Sequence, residues 1–397
     1  MSGIALRPES ATVIRATLPA VGGAIEEITT LFYASLFADH PELERDLFNR
    51  GNQAKGDQQR ALAGAIASFA TLLVAENAPS PETVLARIAN KHASLGITEE
   101  LYQVVHDHLF AAIVKVLGDA VTPEVAQAWD EVYWLMANGL IAIERALYAD
   151  ANVEPGQVWR TATVVRRTQE SPDCIAITLA SDGGSTLPGF APGQYTSVAV
   201  NLPDGARQIR QYTLTTPGSG GQWRITVKKD GQVSNHLHAN LFEGDSLSVS
   251  LPFGNLTLHP EASPVLLVSA GIGCTPMIGM LRHMVDTGDS RPVLVVHADR
   301  SLSVHAHRSE LEELVAELPA AIMHNWYEDL GVRPESQTSR AGRTDLSSIA
   351  LPDGVKAYLC GPLPFMQAMR AQLLEAGVPA ADIAYEVFGP DLWLQVA

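Results

Sequence analysis

The chain has 397 residues, 46% of them hydrophobic and 18% charged, with a net charge of −17. That suits two or three globular domains with ordinary cores. Residues 1–150 carry 10 basic and 19 acidic residues and the remainder 17 and 25. Neither part offers the basic face that nucleic acid needs. No uncharged apolar run reaches membrane-spanning length, and the N-terminus lacks the basic head and apolar block of a secretory signal. Cys174, Cys274 and Cys360 lie far apart with no CxxC, which argues against a disulfide scaffold or structural zinc and fits a reducing compartment. A cytoplasmic monomer without a transmembrane segment is the expectation.

Residues 1 to about 148 read as helix throughout. A polar connection at Asn49 to Lys55 is expected to be a turn. Asp57 begins a helix with Leu62, Ile66 and Phe69 at helical spacing. The next helix, around ARIANKHASLGI (86–97), has Ser80 as a candidate cap, Pro81 in its first turn and Gly96 just past its end. Leu85, Ile88, Ala89 and His92 share its apolar face. By itself, a histidine there is an ordinary hydrogen-bonded core residue. Thr98, with Glu99 and Glu100, is expected to cap a helix through Tyr102, Val105 and Leu109. Thr122-Pro123-Glu124 opens a last long helix to Tyr148.

After a composition break at Ala149–Gly156 come short β-branched and aromatic segments: 159–166, 174–179, 194–201, 208–215, 223–228 and 246–251. Their length and spacing predict a small antiparallel barrel. From Pro264 the rhythm changes. Continuous apolar runs at 265–268, 293–296 and 355–359 alternate with helical segments at 276–286, 309–317 and 364–376. This predicts a parallel sheet with helices on both faces.

Several motifs carry chemistry. Gly271-Ile272-Gly273-Cys274-Thr275-Pro276 follows the first buried strand. Its glycines let backbone approach a pyrophosphate, and the helix after it favours negative charge at its N-terminus. Cys360-Gly361-Pro362 follows another strand of that sheet, and two such turns at strand C-termini belong beside one crevice. Arg210-Gln211-Tyr212-Thr213 lies on a barrel strand, where arginine can read phosphate and tyrosine can stack on a planar ring. Gly231-Gln232-Val233-Ser234-Asn235 opens a helix whose N–H groups suit the same pyrophosphate. Asp299 and Arg300 are adjacent after the second parallel strand. The acid favours a ribose hydroxyl and the arginine a 2′-phosphate, so NADH and NADPH both stay open.

The order RQYT, GQVSN, GIGCTP, CGP and Tyr385-Glu386-Val387-Phe388-Gly389-Pro390 resembles the ferredoxin–NADP reductase type of flavin module. With Leu31-Phe32-Tyr33, Leu47-Phe48-Asn49, Gly56-Asp57-Gln58, Asn90-Lys91-His92, Ala128-Trp129 and Ala137-Asn138 before it, nearly the whole chain resembles the bacterial flavohaemoglobins. The resemblance implies an all-α globin (1–150), an antiparallel β-barrel FAD domain (151–260) and an α/β parallel-sheet NAD(P)-binding domain (261–397). It implies haem b, FAD and NAD(P)H as cofactors, and nitric oxide dioxygenation as the reaction: electrons pass from NAD(P)H through FAD to haem, and NO and O2 become nitrate.

By the same resemblance, His92 is the iron ligand, Tyr102 and Glu144 form its proximal network, Phe48 packs on the porphyrin, and Tyr33, Gln58 and Leu62 line the distal pocket. Lys91 faces the flavin domain. Arg210, Gln211, Tyr212, Thr213, Tyr195, Gln232, Val233 and Ser234 serve FAD. The 271–276 and 360–362 turns, with Val387, Phe388, Gly389 and Pro390, serve the nicotinamide nucleotide. Cys274, Val387 and the tail Asp391-Leu392-Trp393-Leu394 depart from the family pattern. The implied alternatives are a reductase for other acceptors, such as ferric complexes or quinones, and an O2- or NO-binding sensor.

Overall fold

The computed structural model describes residues 5–75, 82–183, 187–216, 221–336 and 338–393. Ser80, Pro81 and Leu394 lie outside them. The chain forms two compact units: 1–159 with 199–210 and 390–397, and 160–198 with 211–389.

The first unit is built on helices α1 (Pro8–Asp39), α2 (Pro41–Asp46), α3 (Arg50–Ala54), α4 (Asp57–Val74), α5 (Glu82–Leu95), α6 (Glu100–Leu117) and α7 (Pro123–Asp150). Their apolar faces meet in one core that includes Ile14, Phe32, Phe69, Leu85, Leu109, Trp129 and Leu140. α5 ends as its sequence demands: Gly96 is left-handed at φ 79° and the Ile97 N–H bonds back to His92 O, so the helix stops just after the histidine. The Tyr148 hydroxyl donates to Ile97 O at 2.6 Å and ties α7 to that stop.

Two local readings are corrected. The connection 49–55 is not a simple turn. It holds α3, capped by Asn49 Oδ1, which accepts from Gly51 N and Asn52 N. Thr98 does not cap α6. Glu99 occupies that position with no side-chain cap, and Thr98 instead bonds the Glu100 carboxylate, holding its pKa below the usual value.

The second sheet-bearing region starts with β1 (Trp159–Ser171), β2 (Cys174–Ser181), β3 (Tyr195–Asn201), β4 (Arg207–Thr213), β5 (Gln222–Lys228), α8 (Gln232–Asn240) and β6 (Ser246–Ser250). The strands lie in the order β4-β3-β6-β1-β2-β5, with β2 antiparallel to both β1 and β5. Just beyond β4, Thr215 N donates to Arg224 O of β5 at 2.9 Å. That bond joins the two ends of the strand order, the closure a small barrel uses against exposed edges.

Then follow β7 (Val265–Ala270), α9 (Cys274–Thr287), β8 (Val293–Ser301), α10 (Arg308–Glu317), β9 (Ala321–Asp329), β10 (Ser339–Ala341), β11 (Lys356–Cys360), α11 (Leu363–Glu375) and β12 (Ile383–Glu386). They form a parallel sheet in the order β10-β9-β8-β7-β11-β12. The chain builds outward from β7 and then returns to its other side, so the switch point lies between β7 and β11. The sequence reading missed β9, β10 and β12. β9 is buried at Met323, Asn325, Trp326 and Tyr327 rather than along an aliphatic run, with Asn325 only 5% exposed. Among the described residues no helix is long and apolar enough to cross a membrane.

Candidate functional site

A polar cluster of the first unit surrounds His92. Its Nδ1 lies 2.9 Å from Glu144 Oε1 and 3.0 Å from Tyr102 Oη. The Tyr102 hydroxyl donates to the same Glu144 oxygen at 2.5 Å. Helical spacing brings these groups in from α5, α6 and α7. Glu144 is 3% exposed, so it is not the solvated partner of Arg145 that its neighbour in sequence suggests; Arg145 pairs with Glu99 instead. Burial, and the negative charge of Glu144, push the Tyr102 phenol far above its usual pKa and keep it a neutral donor.

A carboxylate at Nδ1 fixes the imidazole proton there and leaves Nε2 with a lone pair. The His92 side chain keeps 32% of its surface exposed although its helix neighbours Leu85 and Ala89 are fully buried. Among the described residues no cluster of three or more His, Cys, Asp or Glu side chains could hold a metal ion. A single imidazole on a helix whose Leu85, Ile88 and Ala89 pack in the core fits the donor set of a haem, whose porphyrin supplies the other ligands.

Tyr33, on α1, is 4% exposed. Burial raises its pKa far above the usual value against the opposing hydrogen bond with Gln58 of α4. The ring meets Phe48 edge-on, 5.7 Å between centroids, and Phe48 and Leu62 pack on the core of the first unit. The structure thus brings Tyr33, Gln58 and Phe48 together, with a phenolic donor held dry by an aromatic cluster. Lys91 is half-buried on α5.

In the barrel, Tyr195 pairs by backbone with Phe253 and is 7% exposed. A Cβ on Gly254 would stand 3.0 Å from its ring, so the glycine lets the backbone lie on the aromatic face. Gln211 Nε2 donates to Ser197 Oγ at 3.0 Å, Tyr212 is half-buried and Thr213 buried. Gly231 precedes α8, on which Gln232 is exposed and Val233 buried. The Ser234 hydroxyl accepts from Asp230 N at 2.7 Å and donates to Gly231 O at 3.1 Å, so it caps its own loop first. Arg210 belongs to the first unit, where its guanidinium donates to Ile209 O and to Asn49 Oδ1.

The two glycine turns predicted to share a crevice do meet. A Cβ on Gly273 would lie 2.3 Å from Cys360 O and 2.8 Å from Gly361 N. Only glycine permits this backbone contact between the loops after β7 and β11. Gly271 and Ile272 remain half-buried at the crevice, while Cys274, Thr275 and Pro276 start α9 and are buried. The Thr275 hydroxyl donates to Ile272 O, and burial raises the Cys274 thiol's pKa far above the usual value. Pro362 is exposed and half-buried Val387 follows β12, while Phe388 shows 47% exposure to solvent and Gly389 lies beside it. Pro390 is half-buried in the first unit, next to Asp391, which pairs with Arg87 of α5.

Sequence reasoning missed Asn49, Gln208, Arg87 and Asp391 as a set. Their partners lie 161, 160 and 304 positions away, and only the capping preference of Asn49 was visible locally.

Three family models match in the same order as the motifs: Globin over residues 30–140, Oxidoreductase FAD-binding domain over 161–258 and Oxidoreductase NAD-binding domain over 267–371. A flavohemoprotein of Bordetella pertussis is 43% identical over 403 residues, covering 97% of this chain and 98% of that protein. The crystal structure of flavohemoglobin from Malassezia yamatoensis with bound FAD and haem has a TM-score of 0.88 at 38% identity, over 97% of this chain and 100% of that one. The FAD/NAD-binding domain of nitric oxide dioxygenase from Vibrio cholerae has a TM-score of 0.55 at 33% identity, over 59% of this chain and 100% of that one.

Proposed function

This chain belongs to the flavohaemoprotein family, and we propose that within it the protein is a nitric oxide dioxygenase, converting NO and O2 to nitrate. It is an NAD(P)H-dependent oxidoreductase with haem and FAD as cofactors. The observation that carries the finer reading is the buried carboxylate of Glu144 on His92 Nδ1. An oxygen store needs a ligand that lets O2 leave unchanged. A dioxygenase gains from an electron-rich imidazole, which a carboxylate acceptor provides. The Vibrio cholerae relative, named a nitric oxide dioxygenase, supports the same assignment.

When bound, the flavin accepts a hydride and releases single electrons, and the haem brings the iron that works on the gases. The chain supplies placement. His92 offers Nε2 to the iron, while Phe48 and Leu62 form apolar walls. Tyr33, steadied by Gln58, presents a hydroxyl donor in a site that excludes water, where a hydrogen bond to a developing negative charge is strongest. Arg210, Tyr212, Thr213, Tyr195 and the 232–234 turn would hold FAD. The touching turns at 271–276 and 360–362 would receive the nicotinamide nucleotide, with Phe388, exposed after β12, as a contact for it. Asp299, at the end of β8, favours NADH through a ribose hydroxyl.

The test is consumption of NO under air with NADH supplied. One nitrate formed per NO, with no consumption when O2 or NADH is omitted, is expected. NADH oxidation that proceeds equally with and without NO would instead identify a reductase for other acceptors.

A further inference from the structure

The segment 204–210 of the first unit is joined to the turn between α2 and α3 by a set of bonds that no local rule requires. Gln208 is 1% exposed. Its Nε2 donates to Arg45 O and Phe48 O, both at 3.1 Å, and its Oε1 accepts from Arg50 N at 3.3 Å. One amide therefore engages three backbone groups of the turn that carries Phe48. Arg207 N donates to Asp46 Oδ1 at 3.1 Å, and the Arg207 guanidinium lies 4.2 Å over the Trp159 ring. Arg50 Nη1 pairs with Asp204 at 2.6 Å.

The last bond of the set reaches the flavin motif. Asn49 Oδ1 caps α3 through Gly51 N at 3.0 Å and Asn52 N at 3.3 Å, and the same oxygen accepts from Arg210 Nη2 at 2.7 Å. Arg210 Nη1 donates to Ile209 O at 2.6 Å. These two bonds fix the plane of the guanidinium. A guanidinium carries five N–H donors, so it can be held in this way and still read a phosphate.

We propose that Asn49, on the globin turn next to Phe48, is a positioning residue for flavin binding: its Oδ1 orients Arg210 for the FAD pyrophosphate while capping α3. The inference rests on the assignment of Arg210 to flavin phosphate. Asn49 and Arg210 lie in the same unit. Arg210 is long and flexible, and holding it in place beforehand removes an ordering cost from FAD binding. The Gln208 bonds keep the turn and the strand in register, so Asn49 meets Arg210 at a fixed distance.

Two substitutions separate capping from positioning. Asn49→Ser retains a good N-cap, but its hydroxyl sits one atom nearer the backbone and does not reach Arg210. Asn49→Asp retains both the cap and the acceptor. Each full-length variant is stripped of flavin and titrated with FAD, read by flavin fluorescence, beside the parent and Arg210→Ala. Thermal unfolding and haem absorption are measured on the same samples.

The expected result is a dissociation constant for FAD about tenfold weaker in Asn49→Ser, parent-like in Asn49→Asp, and weaker still in Arg210→Ala, with haem content and melting temperature retained in Asn49→Ser. If Asn49→Ser binds FAD like the parent while Arg210→Ala does not, the positioning role is overturned and Asn49 is a helix cap alone. If Arg210→Ala itself binds like the parent, the assignment of Arg210 to the flavin falls, and the positioning role with it.

Discussion

Two histidine environments in this protein show opposite treatments of the same side chain. In the first unit, His92 Nδ1 donates a hydrogen bond to Glu144, with Tyr102 against the same atoms. In the second, His297 of β8 and His305 stack with ring centroids 3.9 Å apart, at 0% and 4% exposure. There, His297 Nδ1 lies 2.9 Å from Ser269 Oγ and His305 Nδ1 2.8 Å from Tyr327 Oη, but neither Nε2 has a hydrogen-bond partner among the described residues. Asp299 stands 3.7 Å from His297 Nε2, too far to bond. Burial, with the charges of His297, Arg308 and His307 adding to it, pushes the His305 pKa down to about 2. A carboxylate partner makes an imidazole an electron-rich ligand. Without one, the buried imidazole of His305 becomes neutral packing surface.

The largest effect that tests this contrast is loss of a cofactor. His92→Ala should purify with little tightly held haem and keep its FAD, whereas His305→Phe should keep both, as absorption spectra will read. A haem spectrum like the parent's in His92→Ala would remove His92 as the ligand. Next in size is Glu144→Gln, which leaves a weaker, neutral acceptor on Nδ1. The iron–histidine stretching frequency of the reduced protein should fall and NO consumption should slow, while flavin reduction by NADH stays unchanged. An unmoved stretch in resonance Raman would mean that the carboxylate does not tune the ligand.

The pH dependence tests the other member of the comparison. In the unfolded chain His305 takes up a proton near pH 6.5, while in the fold it stays neutral down to about pH 2. The unfolded state therefore binds more protons as pH falls below 6.5, and stability drops there. At pH 5 the cost is on the order of 2 kcal/mol. His305→Phe removes this term, although it strands the Tyr327 hydroxyl and starts less stable at neutral pH. Its melting temperature should fall less than the parent's between pH 7 and pH 5. Equal falls would show that His305 is not what makes this region acid-sensitive.

Much of the architecture was legible because it follows from period and punctuation. The apolar face of α5, the Gly96 stop, the Thr122-Pro123 start of α7 and the aliphatic runs of β7 and β8 each follow a local rule. β9 was not, because its buried positions include Asn325 and its alternation is broken by exposed Ile322. In the candidate site, the motif order placed His92, Arg210–Thr213 and the glycine turns on the correct elements. Of its polar second layer, only Tyr102 and Glu144 were named, and those by the family resemblance rather than by any local rule. Glu144 lies 52 residues from His92, Asn49 lies 161 from Arg210, and neither pair leaves a periodic trace. A hydrogen bond between distant segments becomes visible only when packing has fixed both backbones.

The smallest predicted effect concerns Tyr102, and here the geometry sets the sign. The phenol and the imidazole both bond Glu144 Oε1, at 2.5 Å and 2.9 Å. They compete for one oxygen. A neutral donor on a carboxylate draws off part of its charge, in a bond worth roughly 1.5–3 kcal/mol. Tyr102→Phe returns that charge to the oxygen that faces His92. Glu144 is 3% exposed, so packing holds the carboxylate in place without the phenol. The His92 N–H bond should then strengthen, and the iron–histidine stretch should rise slightly, opposite in direction to Glu144→Gln and smaller. Haem content should stay at the parent level. A fall in frequency would mean that Tyr102 acts chiefly by holding Glu144 against the imidazole. In Tyr102→Phe/Glu144→Gln the stretch should match Glu144→Gln alone, because without the carboxylate the phenol has no charge to draw on.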